Sequence, residues 1–150
     1  MDEGSKIPDI SVTIDDAVVS LASLGAPLVV YFYPKDDTAG CTTEAKDFST
    51  LSGAFSAAGV TIVGVSKDSV ASHAKFTAKH GLAVRLASDV EGIACEAFGV
   101  WIEKAMYGRK YMGIERATFL FGSDGTLAKA WRKVRVAGHA EAVLVAAKAL

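Results

Sequence analysis

Six consecutive residues, Leu28-Val29-Val30-Tyr31-Phe32-Tyr33, are aliphatic or aromatic, and Pro34 stops the run. With no polar residue to face solvent, such a segment reads as a strand covered on both sides. Proline ends it because it has no N–H to give to a sheet ladder. A strand of this kind belongs in the middle of a sheet with helices packed against it, and the rest of the chain supplies them. A helix is predicted from about Cys41 to Ala58, with Ala45, Phe48, Leu51 and Phe55 at helical spacing. Val60 to Val65 is a second buried strand, Ser69 to His80 a second helix, and Leu82 to Leu86 a third strand. Val90 to Phe98 reads as a short helix capped by Ser88 or Asp89. Thr118 to Phe121 and Leu127 to Trp131 flank Gly122-Ser123-Asp124-Gly125, which reads as a hairpin turn. Ile10 to Ile14 alternates as a short strand, and Gly138 to Leu150 is an alanine-rich closing helix.

This order of elements fits an α/β thioredoxin-like fold with additions, a central mixed β-sheet flanked by helices. The chain has 150 residues, 51% of them hydrophobic and 22% charged, which suits one domain spanning 1–150. A formal net charge of -1 gives no reason to expect a nucleic-acid or membrane partner. The start, Met1-Asp2-Glu3-Gly4-Ser5-Lys6, lacks the pattern of a secretory signal, so the expected location is cytoplasmic. In that compartment thiols stay reduced, and two cysteines are a poor structural staple.

In sheets of this type, chemistry tends to sit beyond the carboxyl ends of the strands, where the Pro34–Cys41 loop falls. Cys41 follows that loop and opens a helix, where free N–H groups and the helix dipole favour a thiolate. Thr38 can turn its hydroxyl toward the sulfur, and Pro34 offers a rigid apolar wall. Glu44 lies one helical turn beyond Cys41 and would repel a thiolate unless a cation intervenes. Arg116, just before the strand at Thr118, can hold Glu44 with one edge and face the sulfur with another. His73, His80 and His139 read as solvated, with no spacing suited to zinc. Lys129, Arg132, Lys133 and Arg135 read as a solvated basic cluster.

Pro34, Thr38 and Cys41 reproduce the Pro-x-x-x-Thr-x-x-Cys signature of the peroxiredoxins. Tyr31 through Thr38, Gly40 through Glu44, Gly99-Val100-Trp101, Met106 through Arg109 and Tyr111 through Phe119 resemble the bacterioferritin-comigratory-protein, or peroxiredoxin Q, subgroup. The resemblance runs from Pro8 to the C-terminal helix. It implies a thiol-dependent peroxidase that needs no metal, haem, flavin or other cofactor. Cys41 would be the peroxidatic cysteine, Thr38, Pro34 and Arg116 would complete its pocket, and Glu44 would orient Arg116. The implied partners are a peroxide substrate and thioredoxin or another thiol reductant, with the chain a monomer or weak homodimer. A non-catalytic thioredoxin-fold binding module or chaperone-like holdase is the other class such a chain can fall into.

Two departures bear on recycling. Ala39 stands where the subgroup usually has proline, and Lys46 and Thr77 stand at the two usual positions of a resolving cysteine. Cys95 is the remaining candidate for that role. On a helix from Val90 to Phe98, the residues Val90, Ile93, Ala94, Ala97 and Phe98 form one apolar stripe. At about 3.6 residues per turn, Cys95 falls beside that stripe, near Glu91, and is expected to be accessible. An intramolecular Cys41–Cys95 disulfide, recycling of Cys41 alone by an external thiol, and intermolecular pairing all remain open.

Overall fold

The computed structural model describes residues 1–150. In chain order it contains β1 (Ser11–Ile14), β2 (Ala17–Ser20), a 3-10 turn (Leu21–Leu24), β3 (Leu28–Phe32), α1 (Ala39–Thr50), α2 (Ser52–Ala57) and β4 (Thr61–Ser66). Then come α3 (Val70–His80), β5 (Arg85–Ser88), α4 (Ile93–Ala97), β6 (Trp101–Met106), β7 (Arg109–Ile114), β8 (Ala117–Phe121), β9 (Leu127–Trp131) and α5 (His139–Lys148). Seven strands make one sheet in the order β2-β1-β5-β4-β3-β8-β9, and β6 and β7 pair as a separate hairpin. β3, β4 and β5 run parallel, while β8, β9 and β1 join antiparallel, so the sheet is mixed as the order of elements predicts.

The apolar run at Leu28 is central, and its alternation divides the core into two. Leu28, Val30 and Phe32 face a cluster containing Phe98, Phe119, Phe121, Ala94 and Cys95. Val29, Tyr31 and Tyr33 face the other way, onto Cys41, Phe48, Phe55, Phe76 and Leu144. Hence α1, α2, α3 and α5 cover one face of the sheet, and α4 with the flank of the β6–β7 hairpin covers the other. No helix is long and apolar enough to cross a membrane.

Three expectations need correction. The helix expected from Cys41 to Ala58 begins two residues earlier and breaks at Leu51 into α1 and α2. Ser49, Thr50, Ser52 and Gly53 are weak helix formers, and the Ser49 hydroxyl instead accepts from the N–H groups of Ala83 and Val84. The third strand lies at Arg85–Ser88, later than expected, where it pairs with β4. The helix at Val90 starts only at Ile93, because Gly92 takes a left-handed conformation (φ 78°) and Asp89 receives the N–H groups of Ala94 and Cys95. That shortened helix presents a different face. Val90 and Ile93 are 60% and 50% exposed, whereas Cys95 is wholly buried. Cys95 is therefore not accessible as expected.

Candidate active site

β3 ends in Phe32, and the chain crosses Pro34 to Thr38 before α1 begins at Ala39. Thr38 keeps extended backbone geometry, and the first helical hydrogen bond runs from the Thr42 N–H to the Thr38 carbonyl at 2.8 Å. The N–H groups of Ala39, Gly40 and Cys41 thus lie in the first turn with no intrahelical acceptor. Cys41 sits in this turn with 1% of its surface exposed. The positive end of the helix is the electrostatic surrounding that favours a thiolate.

Arg116, on the link between β7 and β8, enters from the opposite side. Its Nη1 donates to Glu44 Oε1 at 2.7 Å, and its Nη2 lies 3.4 Å from the Cys41 sulfur. The arginine joins two groups that would otherwise repel, as their spacing on α1 demands. Gly40 makes the approach possible, since a Cβ there would stand 3.2 Å from Nη2. Glu44 is almost wholly buried, and its other oxygen has no partner. Burial pushes its carboxyl up to about 7 even though Arg116 pulls it down. The guanidinium is held above its ordinary range, because Glu44 and Cys41 outweigh the burial that would lower it. One cation therefore serves two groups that can each carry a negative charge.

Thr38 departs from expectation in one respect. Its hydroxyl donates to the Lys35 carbonyl at 2.8 Å. With its one proton engaged, it can accept a hydrogen bond from an incoming group but not donate one. Pro34 is exposed and forms one wall of a groove of about 370 Å³, shared with Lys67, Trp101, Lys104, Tyr111 and Met112. The β6–β7 hairpin supplies the opposite wall. Lys104 is shifted down by burial and by Arg116, with the Cys41 charge acting in the other direction, so it belongs to the same electrostatic neighbourhood. Cys95 is not brought to the site. It lies in the cluster on the other face of the sheet from Cys41, and both are free thiols.

The histidines are not solvated as expected. His73 is buried, its Nδ1 2.7 Å from Asp36 Oδ2 and its Nε2 3.0 Å from the Ala87 carbonyl. His80 is half-buried and meets Asp37 at 2.8 Å. His139 is buried against Thr118, and burial together with the Arg116 charge pushes it down to about 4, so it is neutral. The sequence did hold a signal for the first two. His73, Phe76 and His80 recur at the spacing of one helical face, and Phe76 fixes that face as the inner one. Gly40 and Lys104 were missed outright, since a close approach between distant segments leaves no local pattern. The cluster Lys129, Arg132, Lys133 and Arg135 is exposed as expected.

Comparison with known proteins identifies the family and the fold. Residues 4–130 match the AhpC/TSA family. The chain is 56% identical over 128 residues to peroxiredoxin Bcp of Xanthomonas campestris, covering 85% of this chain and 80% of that one. It is 47% identical over 138 residues to peroxiredoxin Bcp of Bacillus subtilis, covering 91% and 88%. Among solved structures, a bacterioferritin comigratory protein of X. campestris, studied for alkyl peroxide reduction, superposes with TM-score 0.90 at 47% identity, covering 99% and 98%. A mutant of PrxQ from Xylella fastidiosa gives TM-score 0.93 at 41% identity, covering 99% and 96%. These likenesses span the sheet and the segments bearing Cys41 and Arg116. The fold is thioredoxin-like, and the chain belongs to the AhpC/TSA family as a thiol-dependent peroxidase of its Bcp/PrxQ branch, acting on a peroxide with a thiol as reductant.

Proposed function

We propose that Cys41 is the thiol that attacks the peroxide and that Arg116, Thr38, Pro34 and Glu44 form the surroundings of the reacting sulfur. The observation that carries this reading is the guanidinium fork of Arg116, shared between Glu44 at 2.7 Å and the Cys41 sulfur at 3.4 Å. The thiolate attacks one peroxide oxygen in line with the O–O bond, a sulfur–oxygen bond forms, and the O–O bond breaks. Sulfur is oxidised to a sulfenic acid, and the departing oxygen takes up a proton to leave as water or an alcohol. Arg116 and the first-turn N–H groups stabilise the charge that develops on the departing oxygen. Thr38, whose proton is held by Lys35, accepts from the peroxide hydroxyl and fixes its orientation. The groove beside Pro34 has room for the carbon chain of an organic hydroperoxide as well as for hydrogen peroxide.

Recycling runs through Cys41 alone. An external thiol, thioredoxin or a similar donor, condenses with the sulfenic acid to release water, and a second thiol completes the reduction. Burial of Cys95 across the sheet from Cys41 supports this route over an internal disulfide. The protein acts as one domain over 1–150, as a monomer or weak homodimer, in the cytoplasm. One equivalent of peroxide followed by dimedone and peptide mass spectrometry tests the scheme. Cys41 is expected to carry the label while Cys95 stays a thiol, and Cys95→Ser is expected to turn over at the wild-type rate. An unlabelled, unoxidised Cys41 would overturn the assignment, and a Cys41–Cys95 cross-linked peptide would overturn the one-cysteine route.

Gly40→Ala separates the site from the fold. Alanine is favoured over glycine in a helix by roughly 1 kcal/mol, so stability is expected to hold or rise. The new methyl group would crowd the guanidinium and move it off the sulfur, slowing peroxide attack by about three- to tenfold. A melting temperature and a stopped-flow rate on the same variant check both halves, and an unchanged rate would show that the 3.4 Å contact is dispensable.

A further inference from the structure

Upstream of Cys41, the active-site loop is fastened to α3 by a buried network that the peroxide chemistry does not use. Asp36 is buried. Its Oδ1 accepts from the Tyr33 hydroxyl at 2.6 Å, and its Oδ2 accepts from Ser72 at 2.8 Å and faces His73 Nδ1 at 2.7 Å. The backbone N–H of Asp36 donates to Asp68 Oδ2 at 2.8 Å, and Ser66 donates to that same oxygen at 2.7 Å. The neighbouring Asp37 sits in the left-handed region (φ 58°), unusual for a residue other than glycine. Its carboxylate meets Lys79 at 2.7 Å and His80 at 2.8 Å. Two successive loop carboxylates are thus held by two histidines, His73 and His80, spaced seven residues apart on one face of α3.

His73 is the informative member. Both of its nitrogens face acceptors, the Asp36 carboxylate and, on the opposite side, the Ala87 carbonyl at 3.0 Å. A neutral imidazole has one N–H and would set a bare nitrogen against an oxygen on one side. Only the imidazolium satisfies both contacts, and its charge answers that of Asp36. The other ionisable groups around it are Tyr33 at the end of β3, Asp68 before α3, Lys79 and His80 with Asp37, and Asp15 and Arg85 on the rim of the adjoining groove. None of them is a donor to the Ala87 carbonyl. Thr38 and the first turn of α1 follow Asp37 directly, so a shift at Asp36 and Asp37 moves Thr38, its hold on Lys35 and the bond from Thr42 that opens the helix.

We propose that His73 is a positioning residue for peroxide reduction: as an imidazolium between Asp36 and Ala87 it fastens the loop to α3 and β5 and so holds Thr38 and the Cys41 turn in the reacting arrangement. The inference rests on Cys41 being the reacting thiol. Its consequence is local: removing either partner of the Asp36–His73 contact releases the loop from α3 and β5 while the sheet stays in place.

The test is hydrogen exchange of residues 36–44 in the intact wild-type, His73→Gln and Asp36→Asn proteins at one pH, together with their peroxide rates. Protection of the loop and first turn is expected to be about tenfold or more lower in His73→Gln than in the wild type. Protection of β3 and β4 is expected to be unchanged in that variant. Peroxide attack in that variant is expected to slow by a similar factor, and adding Asp36→Asn is expected to slow it little further. Loop protection in His73→Gln equal to that of the wild type would overturn the inference. So would a His73→Gln protein whose peroxide rate matches wild type. If His73→Gln does not fold, Asp36→Asn decides the matter by the same two readouts, since it removes the other partner of the contact. A wild-type protein whose Cys41 ignores peroxide would instead remove the assignment of the thiol, leaving the exchange result to stand.

Discussion

A Cys41→Ser variant is expected to consume no peroxide above the uncatalysed rate, a loss of roughly 10³-fold or more, because the whole chemical step is the nucleophilicity of one sulfur. A serine hydroxyl stays protonated near neutral pH even beside a guanidinium and a helix N-terminus, so no nucleophile remains. Cys95 cannot take over. It is wholly buried on the other face of the sheet, and burial, helped by the nearby Asp89 carboxylate, pushes its thiol far up. Stability should change little, since serine is close in size and its oxygen can accept from Arg116 Nη2, which already faces that position at 3.4 Å. The expected cost is about 1 kcal/mol, which for a domain of this length is a melting-temperature drop of about 2–4 °C. Peroxide consumption with a saturating thiol reductant, beside a thermal melt, checks both parts. Substantial turnover by a folded Cys41→Ser protein would remove Cys41 from the mechanism.

What the sequence disclosed depended on whether the controlling interaction was local. The strand at Leu28 was legible because six apolar residues and a proline sit side by side. The hairpin at Gly122 was legible because its turn residues do too, and β8 and β9 pair antiparallel there. Cys41, Glu44 and Arg116 were legible for a different reason: a carboxylate one turn from a thiol needs a cation, and one arginine stood beside a strand. The failures were non-local. Cys95 was assigned to the wrong face because its helix was taken to start at Val90. Asp89 and the left-handed Gly92 delay it to Ile93, and the buried face turns so that Cys95 joins Ala94 and Phe98 on it while Val90 and Ile93 face out. The β6–β7 hairpin was not recognised as two strands, since Glu103, Lys104, Arg109 and Lys110 interrupt any apolar alternation. Its turn is Tyr107-Gly108, and tyrosine rarely takes a left-handed conformation (here φ 52°). The histidines were misread because their partners, Asp36, Asp37 and Thr118, come from other elements.

Arg116→Ala is expected to slow peroxide attack by about 10²–10³-fold, the usual cost of deleting one donor aimed at developing charge. The loss has two parts. The thiolate loses the cation 3.4 Å away, so the pH at which Cys41 becomes reactive should rise. The departing oxygen loses its charged donor, so attack slows even at a pH where the sulfur is fully ionised. Alkylation of Cys41 by iodoacetamide across pH isolates the first part, and peroxide rates at high pH isolate the second. Stability adds an independent signature. In the wild type, Glu44 is buried with Arg116 as its only hydrogen-bond partner, and burial already pushes its carboxyl up to about 7. Without the arginine the opposing pull disappears, so the carboxyl moves further up. Its folded form then keeps a proton that the unfolded chain gives up above the ordinary glutamate range. A group with a raised folded value contributes stability at low pH and loses it as pH rises. Relative to wild type, Arg116→Ala should therefore melt only slightly lower near pH 5 and progressively lower toward pH 9. Arg116→Lys keeps the charge without the fork, so it should recover stability at high pH better than it recovers the rate. A deficit in melting temperature that is flat with pH, together with an unchanged alkylation profile, would show that Arg116 does not couple Glu44 to the sulfur.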